Sequence, residues 1–292
     1  MNCEKVFNFL VDELEKYLKE NKLESMVLGI SGGIDSTVVA AICHEVSKRT
    51  GIPLIGRSLP TKFNKEGEIT AADLVGKAFC DNYLAESIQI PYNAVRMAFN
   101  GREIVGKPDL NLVAKGNIQA RLRMIYLYNV ASLNRGIVMD TDNMTEHYLG
   151  YYTIHGDQGD YNPIHCLWKT EVFELAKYLA DYYKNISYVH SNTELMLENL
   201  NRSEAITESL KLKPTAGLGI TDSDLDEIGA NSYEEIDNIL KIYIEDKDDN
   251  SIRLSILREK YGNDIVNNVL KRHKASEFKR KGLPVWPDIP EL

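Results

Sequence analysis

The chain has 292 residues, 43% hydrophobic and 26% charged, which is ordinary soluble composition with enough apolar material for a sizeable core. Its formal net charge of −9 opposes non-specific nucleic-acid binding, and no apolar run is long enough to span a bilayer. The start MNCEKVFNFLVDELEKYLKE lacks a basic region followed by a cleavage site, so a cytoplasmic protein without membrane or nucleic-acid partners is expected. Cys3, Cys43, Cys80 and Cys166 are scattered with no Cys-x-x-Cys pair, which indicates neither a zinc site nor a disulfide framework. No proline- or glycine-rich linker divides the chain, and residues 1–292 read as a single domain.

The first informative element is the apolar run Met26 to Ile30, suited to a buried strand, followed from Thr37 by apolar residues at helical spacing. Between them lies Ser31-Gly32-Gly33-Ile34-Asp35-Ser36. A turn from strand to helix aims backbone N–H groups and the positive end of the helix at one spot, which makes an anion site. A Walker A loop would end in Gly-Lys-Ser/Thr, but counting from Gly29 puts Ile34-Asp35-Ser36 there. A dinucleotide fingerprint needs Gly-x-Gly, whereas Gly32 and Gly33 are adjacent. An aspartate beside phosphate is repulsive unless a divalent cation bridges the two, and Mg²⁺ commonly takes one or two carboxylates plus phosphate oxygens. The loop therefore predicts a magnesium nucleotide. Gly-Gly alone would be explained by turn and capping chemistry; the full six-residue string carries the reading. It resembles the pyrophosphate-binding loop of the ATP pyrophosphatase family, which cleaves ATP to AMP and pyrophosphate.

Further strands are read at Ile52 to Leu59, Glu86 to Ile90 and Gly136 to Asp140, each after a helical stretch. Strand alternating with helix predicts an α/β fold with a doubly wound parallel sheet, whose ligands collect at the carboxyl ends of the strands. The segment Asp140 to Lys169 is dense in carboxylates, hydroxyls and aromatics, and Glu146 in it is placed to give a second carboxylate to the cation held by Asp35. His147, His155 and His165 fit no zinc spacing and are read as surface or packing residues. In WKTEVFELAKYL, Val172, Leu175, Ala176 and Leu179 share a core-facing helical face. Lys169 stands near the start of that helix, against the helix dipole, which points to an anion partner. Amphipathic helices follow at Tyr233 to Ile244 and Ser251 to Lys274, joined by the acidic run Glu245 to Asp249.

Taken with GNIQARLRMIYLYN (Gly116 to Asn129), KPTAGLGITDSDLDEIG (Lys213 to Gly229) and SEFKRKGLP (Ser276 to Pro284), the order of motifs is similar to that of the ammonia-dependent NAD synthetase family. The resemblance implies an adenine nucleotide alpha hydrolase-like sheet with additional C-terminal helices. It also implies a homodimer with the Arg121 helix near the interface, and conversion of nicotinic acid adenine dinucleotide, ATP and ammonia to NAD, AMP and pyrophosphate. By position it assigns Gly29, Ile30, Ser31, Gly32, Gly33, Ile34, Asp35, Ser36, Thr141, Lys169 and Thr215 to ATP. Asp35 and Glu146 correspond to magnesium ligands, and Arg121, Asp160 and Lys279 to dinucleotide contacts. Lys169 is expected to offset charge on the departing pyrophosphate, and Asp157 to assist loss of the ammonium proton.

Three positions depart from the family pattern. Ile154 and Phe278 stand where many members carry lysine and histidine, and Ser58 falls where many have an ATP-contacting arginine, with Arg57 one residue earlier. The loop Gly156 to Asn162 is also one residue shorter than in common members. Glutamine-using relatives carry a separate amidase domain, and synthetase-like motifs that begin within the first 36 residues predict use of free ammonia. Two rival readings stay open: another adenylating amidotransferase or thiolase of the same superfamily, and a nucleotide-binding relative that has lost turnover.

Overall fold

The computed structural model describes residues 1–99, 105–189, 192–214, 224–245 and 250–281. In chain order its elements are α1 (Cys3–Glu20), β1 (Ser25–Gly29), α2 (Ile34–Thr50), β2 (Leu54–Ser58), α3 (Glu66–Phe79), β3 (Asn82–Ala85), α4 (Gln89–Ala98), α5 (Pro108–Leu133) and β4 (Gly136–Met139). There follow α6 (Met144–Leu149), α7 (Lys169–Ser187), α8 (Thr193–Lys211), α9 (Asp224–Ile228), α10 (Tyr233–Glu245), α11 (Asn250–Tyr261) and α12 (Asn263–Ala275).

The four strands pair in parallel in the order β3-β2-β1-β4. Side chains alternate across a strand, so β1 feeds both layers: Met26 and Leu28 enter the core shared with α1, α2, α7 and α8, while Val27 enters the one shared with α5. Ile137 and Met139 of β4 join the first core and Val138 the second, as a parallel sheet covered on both faces requires. From β1 the chain winds outward through β2 to β3, then returns to lay β4 on the other side of β1. The order reverses between β1 and β4, which puts the mouth of the sheet between the loop after Gly29 and the segment after Met139.

Two elements differ from the sequence reading. The third strand is Asn82–Ala85, paired with Ile55 to Ser58, and not Glu86 to Ile90. Three of the four β3 residues are exposed, so this edge strand has no apolar run to betray it. Gln89-Ile90-Pro91 instead opens α4, where a proline in the first turn loses no helical hydrogen bond. The helix expected over Ser251 to Lys274 is broken at Gly262, whose φ of 92° ends α11 and leaves α12 to start afresh. Together with α6, α9 and α10, these helices enclose a separate apolar cluster that includes Leu149, Trp168, Ile236, Ile239, Leu240, Val266 and Val269. Thr215 and most of the acidic run after Glu245 lie outside the described residues.

Candidate active site

The loop after β1 is shaped by what presses on it. Gly32 has φ 82°, and a Cβ there would lie 2.5 Å from the Glu68 carbonyl oxygen and 2.7 Å from the Ala72 nitrogen, so only glycine fits against α3. Gly33 is the N-cap of α2 and has no side chain with which to cap it. The first amides of α2 are thereby left for an incoming anion. Ser31 and Ser36 brace the turn. The Gly33 amide donates to Ser31 Oγ at 3.1 Å, the two hydroxyls meet at 2.9 Å, and Ser36 Oγ donates to the Gly33 carbonyl at 3.0 Å.

Asp35, in the first turn of α2, faces residues from two other elements. Lys169 Nζ donates to Asp35 Oδ2 at 2.5 Å and to Glu146 Oε1 at 3.0 Å, and the lysine is fully buried at the start of α7. Burial alone would lower its pKa, but the charges of Asp35 and Glu146 override that and hold it well above the ordinary lysine range. The anionic groups its ammonium meets in this structure are these two carboxylates. Asn143 completes the cluster: its Nδ2 donates to Asp35 Oδ1 at 2.9 Å, and its Oδ1 accepts from the Glu146 amide at 3.0 Å. Asn143 is fully buried and caps α6. Sequence reasoning missed it, although Asn-x-x-Glu before a short helix is a capping-box signature that could have marked it.

The donor set fits magnesium. Two carboxylates converge on one cationic nitrogen at the mouth of an anion-binding loop, and hard oxygen donors in that number are what Mg²⁺ takes when phosphate oxygens supply the rest. Asp35 and Glu146 would hold the ion.

Beyond this cluster the wall is acidic. Asp140 is pushed up to about 6 by burial, although the Asp142, Gly159 and Thr141 amides pull it back. Burial, then the neighbouring Asp140 charge, raises Asp142 well above the usual carboxylate range. Asp157 is exposed along one edge and accepts the Thr153 amide at 2.7 Å, while the protein atoms crowded around its carboxyl desolvate it and push it up to about 6. A carboxyl titrating there can exchange a proton near neutral pH.

The other predicted contacts are more dispersed. Arg121 is exposed on α5 and donates from Nη2 to the Ile154 carbonyl at 3.1 Å. Lys279 Nζ donates to the carbonyls of Gly150 and Tyr152 and lies 4.8 Å from the centre of the Tyr152 ring. Asp160 is engaged within the fold, accepting from the Val138 amide and the Tyr128 hydroxyl, both at 2.9 Å. Thr141 is half-buried on the segment after β4. Arg57 does not take the place of the arginine missing at Ser58: its guanidinium turns back to the Gly56 carbonyl at 2.7 Å and to Asn82 Oδ1 at 2.9 Å. Phe278 is exposed. His147 packs between Tyr152 and His165, the latter ring 4.6 Å away.

A model of the NAD synthase family matches residues 6–283. The chain belongs to the NAD synthase family. An NH(3)-dependent NAD(+) synthetase of Pyrococcus furiosus is 32% identical, the alignment covering 100% of this chain and 97% of that protein. Among solved structures, an NMN synthetase from Francisella tularensis superimposes with a TM-score of 0.75 at 29% identity, covering 99% of this chain and 100% of that one. An NH3-dependent NAD synthetase from Campylobacter jejuni gives a TM-score of 0.67 at 25% identity with both chains fully covered. As a synthase-family chain it is a ligase-class enzyme that forms a carbon–nitrogen bond, and the loop, Asp35, Glu146 and Lys169 lie at the sheet mouth where such a fold receives its ligand.

Proposed function

We propose that the chain amidates nicotinic acid adenine dinucleotide with free ammonia, at the expense of ATP, to give NAD, AMP and pyrophosphate. The observation that carries this reading is the convergence of Asp35, Glu146 and the buried Lys169 at the entrance of the Ser31 to Ser36 loop. In the first step the nicotinate carboxylate attacks the α-phosphorus of ATP and the bond to pyrophosphate breaks, leaving a mixed carboxylic–phosphoric anhydride. In the second, ammonia attacks the activated carbonyl carbon, AMP departs with the bonding pair, and a proton is lost from nitrogen. Neither step needs a protein nucleophile, so positioning and charge neutralisation are the protein's tasks. Bound magnesium would supply charge neutralisation on the phosphate oxygens. The α2 amides, Ser31 and Ser36 hold the departing pyrophosphate, Lys169 offsets its charge, and Asp157 accepts a proton from ammonium. Thr141 and Thr215 are assigned to ATP, and Arg121, Asp160 and Lys279 to the dinucleotide; the bonds Asp160 already makes leave it fewer free lone pairs for that task.

A second reading concerns the length of the acceptor. The higher TM-score belongs to the relative described as an NMN synthetase, and Ile154 and Phe278 depart from the dinucleotide pattern. A nicotinate mononucleotide would meet the same chemistry at the carboxylate end. Purified protein supplied with ATP, Mg²⁺ and ammonium chloride should convert the dinucleotide, forming NAD, AMP and pyrophosphate in equal amounts, and should give very little product with glutamine alone. Faster turnover of the mononucleotide would replace the dinucleotide reading; AMP release without either acceptor, or a requirement for tRNA, would sink both.

A further inference from the structure

Asp237 belongs to α10, in the C-terminal helical layer, yet its side chain reaches the site. It is 2% exposed. Thr145 Oγ1 donates to Asp237 Oδ1 at 2.5 Å, and the Thr170 amide donates to Asp237 Oδ2 at 3.0 Å. Thr145 Oγ1 in turn accepts the backbone amide of Lys169 at 2.8 Å. Thr145 immediately precedes Glu146 in α6, and Lys169 opens α7. One buried carboxylate thus ties together the starts of the two helices that carry Glu146 and Lys169.

The chemistry of the group suits that task. Negative charge beside the first turn of α7 is favoured by the helix dipole, and Asp237 of α10 adds to that of Glu171, which α7 supplies itself and which accepts the Trp168 amide at 2.9 Å. Each oxygen takes a different donor. An amide in its place has one acceptor oxygen, so its NH₂ would face either the Thr170 N–H or the Thr145 hydroxyl, and one bond is lost or reversed. The Lys169 side chain hangs by a flexible four-carbon stem from the Cα, one bond from the backbone nitrogen that Thr145 holds, and a small shift of that anchor moves the ammonium away from two carboxylate oxygens now at hydrogen-bond distance.

We infer that Asp237 is a positioning residue: through Thr145 it fixes where Lys169 and Glu146 stand relative to each other and to Asp35. The inference rests on the proposed reading of this cluster as the magnesium–ATP site. Loss of such an outer partner typically lowers affinity or activity by about 10- to 100-fold.

The test compares wild type with Asp237→Asn, Thr145→Val and Thr145→Ser. Binding of a non-hydrolysable ATP analogue with Mg²⁺ is measured by calorimetry, beside kcat, KM and thermal melting. Asp237→Asn and Thr145→Val should weaken analogue binding by at least about tenfold and lower kcat, and Thr145→Ser should recover most of what valine loses. If the wild type itself fails to bind the analogue, the ATP reading fails. If the wild type binds but both variants bind and turn over as it does while only melting earlier, the positioning role is overturned. Should Asp237→Asn not fold, Thr145→Val, which leaves the carboxylate in place, decides the outcome alone.

Discussion

At the scale of single residues, the Asp35, Glu146 and Lys169 cluster separates function from stability. A buried ammonium stripped of every counter-charge is strongly destabilising, but Lys169 keeps one carboxylate when either partner is removed. Asp35→Ala and Glu146→Ala should therefore retain the fold, each losing about 1 to 3 kcal/mol, while turnover at limiting Mg²⁺ falls by at least about a hundredfold. Chemical denaturation beside a magnesium titration checks both halves, and near-wild-type rates in the two variants would refute the metal assignment. His44 gives a pH prediction away from the site. Its Nδ1 meets the Phe79 carbonyl at 2.9 Å, so that nitrogen carries the proton, and Nε2 is buried without a hydrogen-bond partner among the described residues. Burial first, and then the Arg202 charge, lowers its pKa from 6.5 to about 4, with Lys48 adding to this and Asp81 opposing it. Between those values the unfolded chain binds more protons than the folded one, so the stabilisation is complete above pH 6.5 and is lost as pH falls toward 4. The loss attributable to this group approaches about 3 kcal/mol. Urea melts from pH 7 to 4.5 should show a flatter acid limb in His44→Gln; superimposable pH profiles would dismiss the imidazole as its cause.

At the scale of elements, the β1–α2 turn makes a prediction that discriminates between adjacent glycines. Gly32 has positive φ and backbone atoms of α3 within 2.7 Å of any added Cβ, whereas Gly33 has φ −70° and meets only the Ser31 hydroxyl, at 3.3 Å. Gly32→Ala should cost more than about 1 kcal/mol and push the loop off α3, weakening pyrophosphate binding far more than Gly33→Ala does. Equal effects on inhibition by pyrophosphate would show that the contact with α3 does not set the loop. The same turn marks how far sequence alone reaches. The strands at Met26, Ile52 and Gly136 are buried by helices or flanking strands, and hydrophobic runs announce them. β3 is an edge strand with mostly exposed side chains, so apolar pattern does not mark it and points instead to Glu86 to Ile90. Gly262 could be read as a possible break, but nothing local shows that its φ is positive. At the site, Asp35, Glu146 and Lys169 were each legible from local chemistry, and the fold brings them together. Asn143 carries a local signature, the Asn-x-x-Glu capping box at the start of α6. Asp237 had none: it reads as one acid among several on an amphipathic helix, and only tertiary packing aims it at Thr145 and the start of α7.

At the scale of the whole molecule, the two faces of the sheet are covered unequally. One carries α1, α2, α3, α7 and α8, while the other rests on α5 with α4 beside it. On this thinner side, Ile90 and Met97 of α4 and Ile125 and Leu133 of α5 are all at least 66% exposed. Arg121, Ile125 and Tyr128 follow one another at i, i+4 and i+7 on α5, and each is exposed. Scattered apolar residues are normal on a surface, but several on two adjacent helices suit a self-complementary contact. A twofold axis would bring each such residue into the interface twice. These observations support the homodimer that the family resemblance implies, with the Arg121 helix at its interface. An aspartate in place of Ile125 would then bury two unpaired carboxylates per dimer, at several kcal/mol per ion; even roughly 4 kcal/mol in total is about a thousandfold in dissociation constant. Sedimentation at micromolar concentration should give the wild type twice the 33.1 kDa chain mass, and Ile125→Asp a monomer with an unchanged far-ultraviolet spectrum. Because Arg121 lies one helical turn from that position and is assigned to the acceptor nucleotide, the monomeric variant should also show a raised KM for the acceptor with little change in the KM for ATP. A wild type that sediments as a fully active monomer would remove both the dimer and this route from the interface to acceptor binding.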